Sequence, residues 1–324
     1  MPKKRKQDQV KTLLNWIGPF IGLILVLVIF ASMPEIQDRF LRIGNIKSVA
    51  AQSVIVALGA LGMTLIIISG GIDLSAASNI ALASVTTAYA INAGVSLPLA
   101  ILIGILSGGL IGLVNGFLIT RLRLVPFIVT LGMLGIARGI AKWIAKNQKI
   151  DAPLTWINDL MSSTPHPPWL LLSPGVWVLI LFAVLMAVVL RYTVFGRHIF
   201  AIGSNEATAR LCGIRINRTK LIIYGTAGLF CGLSGVMQFS RLTVGDPTVA
   251  IGLELDIIAA VVIGGGSLSG GSGSILGSMI GVFIMSFLRN GSNMMGWPNY
   301  IQEIIIGAII VIAVALDQIR HKKE

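Results

Sequence analysis

Few side chains in this sequence could carry out a reaction, and their spacing rules most of them out. His166, His198 and His321 stand apart, with no partner ligand at metal spacing, so no metal site is expected. Cys212 and Cys231 form no C-x-x-C pair and suggest no disulfide framework; they read as packing residues. The glycine-rich run from Gly264 to Gly273 holds no Lys that could meet a phosphate, and no G-x-x-x-x-G-K-[ST] loop occurs anywhere. With no paired catalytic carboxylates and no nucleophile beside a histidine, no catalytic residue and no cofactor are expected in this chain.

The informative polar groups are those set against apolar surroundings. Asp73 lies between two apolar runs, where a carboxylate is costly unless it caps, pairs or meets water. It could N-cap the following helix with Ser75 assisting, or it could belong to a pathway or gate. Glu254 and Asp256 begin a later apolar run, where negative charge favours a helix start. Arg138 falls within a span with Lys142 one turn further out, and both are expected to snorkel towards headgroups.

The elements that carry these groups follow from composition. Of the residues, 55% are hydrophobic and 12% charged, well below the roughly 25% charge of a soluble domain. An α-helix needs a run of about 20 apolar residues to cross a bilayer. Cutting the chain at its charges and its Pro, Asn and Asp clusters predicts ten spans, near 16–33, 50–69, 75–93, 97–119, 125–145, 169–190, 220–240, 254–267, 274–289 and 301–317. The eighth and ninth look short, or broken by the glycine-rich run. The expectation is an all-α membrane protein with one transmembrane domain over 16–319, flanked by a basic segment 1–15 and a tail 320–324.

The net charge of +12 and the patch Pro2-Lys3-Lys4-Arg5-Lys6 raise the possibility of nucleic-acid binding, but the patch directly precedes the first apolar run, where basic residues mark a cytoplasmic flank. No nucleic-acid partner is expected. With the N-terminus inside, most Lys and Arg fall in cytoplasmic segments, both termini are cytoplasmic, loop 146–168 faces outside and loop 191–220 inside. An echo relates Asn115-Gly116 before Pro126 to Asn290-Gly291 before Pro298 on opposite sides, which predicts an inverted repeat of two five-helix halves. A competing echo, Gly70 to Ser75 against Gly264 to Ser269, runs in one orientation and is read as small-residue packing.

Within the inner loop, 205–213 reads as a complete short helix: Asn205 as N-cap, Glu206 at the positive end, Gly213 at C′. Alone in water so short a helix is marginal, so it must pack against something. It is either a connector on the protein's own helices or a rigid knob for a soluble partner.

Glu206-Ala207-Thr208 with Gly213 resembles the ATPase-facing signature of permeases of ATP-binding-cassette importers, and Gly196 to Gly203 resembles the ribose-type branch of that family. Similar matches are Ser69 to Ser75, Asn115-Gly116 through Pro126 to Gly132, and Glu254-Leu255-Asp256 leading into Gly264 to Leu268. Ser204, Thr208, Cys212 and Gly266 depart mildly from the pattern. The resemblance implies a bacterial inner-membrane permease for a ribose-like monosaccharide or a related polyol or furanose. It would pair with a second permease, identical or homologous, a cytoplasmic ATPase that uses ATP and magnesium, and an extracytoplasmic sugar-binding protein, amid membrane lipid. Asn205, Glu206, Ala207, Thr208, Arg210 and Gly213 would couple to the ATPase. A sugar needs hydroxyl and amide partners, which makes Asp73, Ser75, Asn79, Gln52, Thr64 and Asn115 the pathway candidates; Glu254 and Asp256 are candidates to meet the binding protein or the entering sugar. The alternative is a secondary carrier driven by an ion gradient, with Asp73 as its coupling carboxylate.

Overall fold

The computed structural model describes residues 18–165 and 167–321. The basic N-terminal segment, His166 and residues 322–324 lie outside the described residues, and with them the expectations made for those positions. The described chain is helical apart from two short strands and connecting loops. Each expected span coincides with a helix: α1 (Gly18–Ala31), α3 (Ile43–Ile68), α4 (Ala76–Asn92), α5 (Leu97–Arg121), α6 (Pro126–Ile144), α7 (Pro174–Tyr192), α10 (Ile216–Leu242), α11 (Leu253–Ile263), α12 (Ile275–Met294) and α13 (Asn299–His321). Between them lie the short helices α2 (Gln37–Phe40), α8 (Val194–Ser204) and α9 (Glu206–Leu211).

Among the described residues, six helices are long and apolar enough to cross a membrane alone: α3, α5, α6, α7, α10 and α12. The ninth expected span is therefore full-length, contrary to the sequence reading. The eighth, α11, has 11 residues, about 16 Å at 1.5 Å per residue, against a hydrocarbon core of about 30 Å. It stops at Gly264 because Gly265, at φ +92°, turns the chain back: its N–H donates to Val262 O, and the Gly266 N–H to Val261 O. Conversely, α3 starts well before the expected position 50. Asn45, Lys47 and Ser48 depress hydropathy without interrupting the backbone ladder.

Packing explains which helices are central. The most hydropathic window of α3 is 89% buried, while those of α6 and α7 are 28% buried and present rows of exposed apolar side chains such as Leu181, Val184, Leu185 and Val188. Such rows suit a lipid environment. The α5–α10 crossing is made backbone to backbone. A Cβ at Gly108 would lie 2.5 Å from Gly232 Cα and one at Gly228 2.8 Å from Gly112 Cα, so only glycine permits that approach. α10 packs on α4 and α5, and α3 packs in the same way on α11 and α12.

Two ends of the bundle are distinct, because α10, 27 residues long, separates α9 from the strand that follows it. At one end β1 (Ile150–Asp151) pairs antiparallel with β2 (Val244–Gly245), and Ser240 Oγ donates to Ile157 O at 2.6 Å. Ile150, Asp151 and Ile157 thus tie the segment after α6 to the bundle. At the opposite end the Gly271 N–H donates to Ile68 O at 2.8 Å, and Gly203 packs against Ile68 O and Gly271 N. The glycine-rich loop, the end of α3 and the end of α8 therefore meet.

Candidate functional site

The polar residues expected along a pathway fall into separate groups. Asp73 Oδ1 accepts from the Ser75 N–H at 2.8 Å and from Ser75 Oγ at 2.5 Å, closing a turn immediately before α4. Asn115 Nδ2 on α5 donates to Ser75 Oγ at 2.9 Å, so Asn115, Ser75 and Asp73 form one buried chain. Thr130 Oγ1 on α6 donates to Ile72 O at 3.2 Å, and Tyr224 on α10 brings its hydroxyl against Gly71. The Tyr224 hydroxyl and Asn115 Oδ1 are buried without a hydrogen-bond partner among the described residues. Four helices thus converge on Asp73. Its expected cap takes the form of a turn: Ser75 occupies the N-cap position and Asp73 holds the turn shut.

The other candidates lie elsewhere. Asn79, one turn along α4, donates to Gly108 O at 3.1 Å. Thr64 Oγ1 stands 2.6 Å from Ala60 O and 2.8 Å from Ser278 Oγ, bridging α3 to α12. Gln52 is exposed, twelve residues before Thr64 and about 18 Å away along α3.

At the end carrying β1 and β2, three expectations change. Arg138 does not snorkel outward: its Nη1 donates to Pro247 O and Val249 O, each at 2.7 Å, because the loop before α11 offers two carbonyls within reach. Asp256 is buried and lies 2.7 Å from Arg289 Nη2, so it cannot meet a docking protein. Glu254, half-buried, faces Arg138 instead. Two residues apart on a helix, the two carboxylates point to different sides, which is why one is enclosed and the other is not. A second Asp turn sits here: the Thr248 N–H and Oγ donate to Asp246 Oδ1 at 2.7 and 2.6 Å, repeating the Asp73–Ser75 geometry at the far end of the bundle.

The short helix α9 has the caps its sequence calls for. Asn205 Oδ1 accepts from the Thr208 N–H at 2.9 Å. At the other end Gly213, at φ +82°, donates to Arg210 O while the Ile214 N–H donates to Ala209 O, the paired bonds of a left-handed glycine cap. Ala209 packs with Ile202 and Ile216, while Ala207, Thr208 and Leu211 are exposed, Leu211 at 89%. Glu206 points back: Lys220 Nζ donates to its Oε2 at 2.6 Å and Arg210 Nη2 to its Oε1 at 3.1 Å. That Lys220 hydrogen bond, with the charges of Lys220 and Arg210, holds the Glu206 carboxyl below the usual range against a smaller opposing effect of burial. Lys220 was absent from the sequence candidates, since nothing local pairs positions fourteen apart.

Sequence reasoning also missed α8 as an element. Its signal was present in Phe195, Ile199 and Ile202, spaced four and three apart; Ile199 and Ile202 are buried and Phe195 packs on the main core. The Thr193 hydroxyl caps it, accepting from the Gly196 N–H at 3.1 Å.

Comparison with known proteins places this arrangement. The profile of the family described as branched-chain amino acid transport system / permease component matches residues 45–314. The ribose import permease protein of Escherichia coli (strain K12) is 35% identical over 309 residues, 95% of each chain. Its namesake in Bacillus subtilis (strain 168) is 38% identical over 315 residues, 97% of this chain and 96% of the relative. An L-arabinose ABC transporter permease protein from Azospirillum brasilense is 35% identical over 304 residues, 94% of this chain and 88% of the relative. No solved structure matches. The chain is thus a multi-pass membrane protein that belongs to the branched-chain amino acid transport system / permease component family.

Proposed function

We propose that this chain is the permease subunit of an ATP-driven importer carrying a ribose- or arabinose-like sugar across a bacterial inner membrane. The observation that carries the reading is α9, a doubly capped, ion-paired helix whose outer face offers Ala207, Thr208 and Leu211 to a partner. Substrate class rests on the relatives, which are named for ribose and arabinose. ATP and magnesium belong to a separate ATPase that grips α9. A second permease, identical or homologous, and an extracytoplasmic sugar-binding protein complete the assembly.

In this reading the chain crosses ten times as two five-helix halves of opposite orientation, with both termini and 191–220 in the cytoplasm and 146–168 outside. Two features support the inverted relation. α3 and α10, the second helices of their halves, each cover the third and fourth helices of the other half, and the Asp73–Ser75 turn before α4 has its counterpart in the Asp246–Thr248 turn before α11. The one-orientation echo is accounted for locally: α3 and α11 end in the same glycine cap, with Gly70 and Gly265 both left-handed.

The test is energy dependence in proteoliposomes holding the permease, its ATPase and the binding protein. Uptake of labelled ribose or arabinose is expected to need ATP and to survive an ionophore. Uptake that runs without ATP and collapses with the ionophore would establish the ion-driven carrier in its place.

A further inference from the structure

At the α9 end of the bundle a cavity of about 540 Å³ opens between the last turn of α5 and the start of α10. Four arginines line it, Arg121, Arg210, Arg215 and Arg218, with Phe117 and Leu221 among its apolar walls. No Asp or Glu lines it. Arg210 shares its charge with Glu206; Arg121, Arg215 and Arg218 have no ion pair among the described residues. Three clustered cations without a counter-charge repel one another, so the site favours an anion such as a phosphate, which guanidinium binds through paired hydrogen bonds.

The walls say where that phosphate comes from. Phe117 lies one turn inside the end of α5, and Leu106, Leu110, Leu113 and Phe117 are all exposed on one face of that helix. From Leu106 to Phe117 the row runs about 16 Å, close to half the hydrocarbon core of a bilayer, so it matches one acyl chain in one leaflet. An acidic protein segment arriving from water could reach the arginines but could not follow that row. We infer that this cavity is a binding site for an anionic phospholipid, its phosphate on Arg121, Arg215 and Arg218 and its acyl chain along the α5 row. Because Arg215 lies in the segment joining α9 to α10, the lipid ties the end of the proposed docking helix to α5. The inference rests on the orientation proposed above and not on the transported substrate.

The test is native mass spectrometry of the intact purified chain offered phosphatidylglycerol and phosphatidylcholine. Wild type is expected to retain phosphatidylglycerol selectively. Arg121→Gln with Arg218→Gln is expected to retain it roughly 25-fold less, at about fivefold per basic residue. The doubly Lys-substituted protein should fall between, and Arg197→Gln, on α8 outside the cavity, should match wild type. Equal retention by wild type and the Gln variant would overturn the site. Displacement of the lipid by inorganic phosphate at comparable concentration would overturn the lipid assignment in favour of a free anion. Displacement by the purified ATPase would do so in favour of a protein dock. None of these readouts involves transport, so their failure is separable from failure of the importer reading.

Discussion

Ala207→Trp separates the fold of this protein from its proposed coupling. Ala207 is exposed on α9, and Leu211 one turn on is 89% exposed, so an indole at 207 meets no neighbour within the chain. Surface substitutions of this kind change stability by about 0.5 kcal/mol or less, and the lower helix propensity of Trp adds at most about 0.7 kcal/mol. Together they come to about 1 kcal/mol at most, which the Asn205 cap and the Glu206 ion pairs of α9 can offset. At a close-fitting interface the same indole overfills, at about 1–3 kcal/mol, which weakens ATPase binding by roughly 5- to 150-fold. Leu211→Ala probes the same face from the other side, removing an anchor worth about 1.5–3 kcal/mol once buried. The assay is ATPase retention on detergent purification, read beside ATP-driven uptake and the melting temperature of the permease alone. Both variants should melt like wild type and lose ATPase and uptake. Retention and uptake at the unmodified level in both would refute the assignment of α9, whatever the sequence similarity.

Asp73→Asn should keep the melting temperature, since Asn retains an Oδ1 for both Ser75 donors, whereas Asp73→Ala leaves a buried N–H unpaired and should cost about 1–3 kcal/mol; equal melting of the two would remove the turn from the argument. Lost uptake in a well-folded Asp73→Asn would give the carboxylate a pathway role beyond the turn. The Glu206 carboxyl, held below its unfolded value, contributes stability that is full above the ordinary glutamate range and fades as pH falls through the depressed value. The melting difference between wild type and Glu206→Gln should therefore be at most about 1 kcal/mol near neutrality and vanish in acid, because the pair is partly exposed; a difference independent of pH would contradict this. An impermeant maleimide should label exposed Cys212 in inside-out vesicles and spare buried Cys231, and labelling of Cys212 in sealed right-side-out cells would reverse the proposed orientation.

How much of this was legible beforehand depends on whether the signal was local. The apolar runs located the core of each of the ten expected helices, though not α2 or α8, because burial in hydrocarbon and burial in protein both demand apolar residues. They did not fix ends, since α3 continues through Asn45 and Lys47 by backbone hydrogen bonding alone. The α9 caps were readable because Asn205, Glu206 and Gly213 act within one helix. Pairings across elements were not: Lys220 with Glu206, Asp256 with Arg289, and Asn45 with Asn290, whose amides exchange bonds at 2.8 and 3.0 Å, are set by the packing of distant helices. Arg138 was misplaced for the same reason, since hydropathy ranks a charge by depth and says nothing of the carbonyls a loop brings to it.

Those long-range contacts also connect the docking end to the polar centre. α9 leans on α8 through Ala209 and Ile202, and near its end α8 carries Gly203, which touches Ile68 at the end of α3 and Gly271 in the glycine-rich loop. Five residues beyond Ile68 is Asp73, whose turn starts α4 and is held from α6 by Thr130 on Ile72 O. Eight residues further along α6, about 12 Å, Arg138 holds the carbonyls on either side of Thr248 in the matching turn before α11. A displacement of α9 would therefore reach one Asp turn through packed backbone, and the other through a single helix that grips both. Because Gly203 and Gly271 meet without side chains, that route has little slack: a Cβ at Gly271 would lie 3.1 Å from Ser204 Cα. In the importer proposed above, motion of α9 would be passed on as a shift of the helix ends around Asp73, with α6 linking that shift to the opposite end of the bundle.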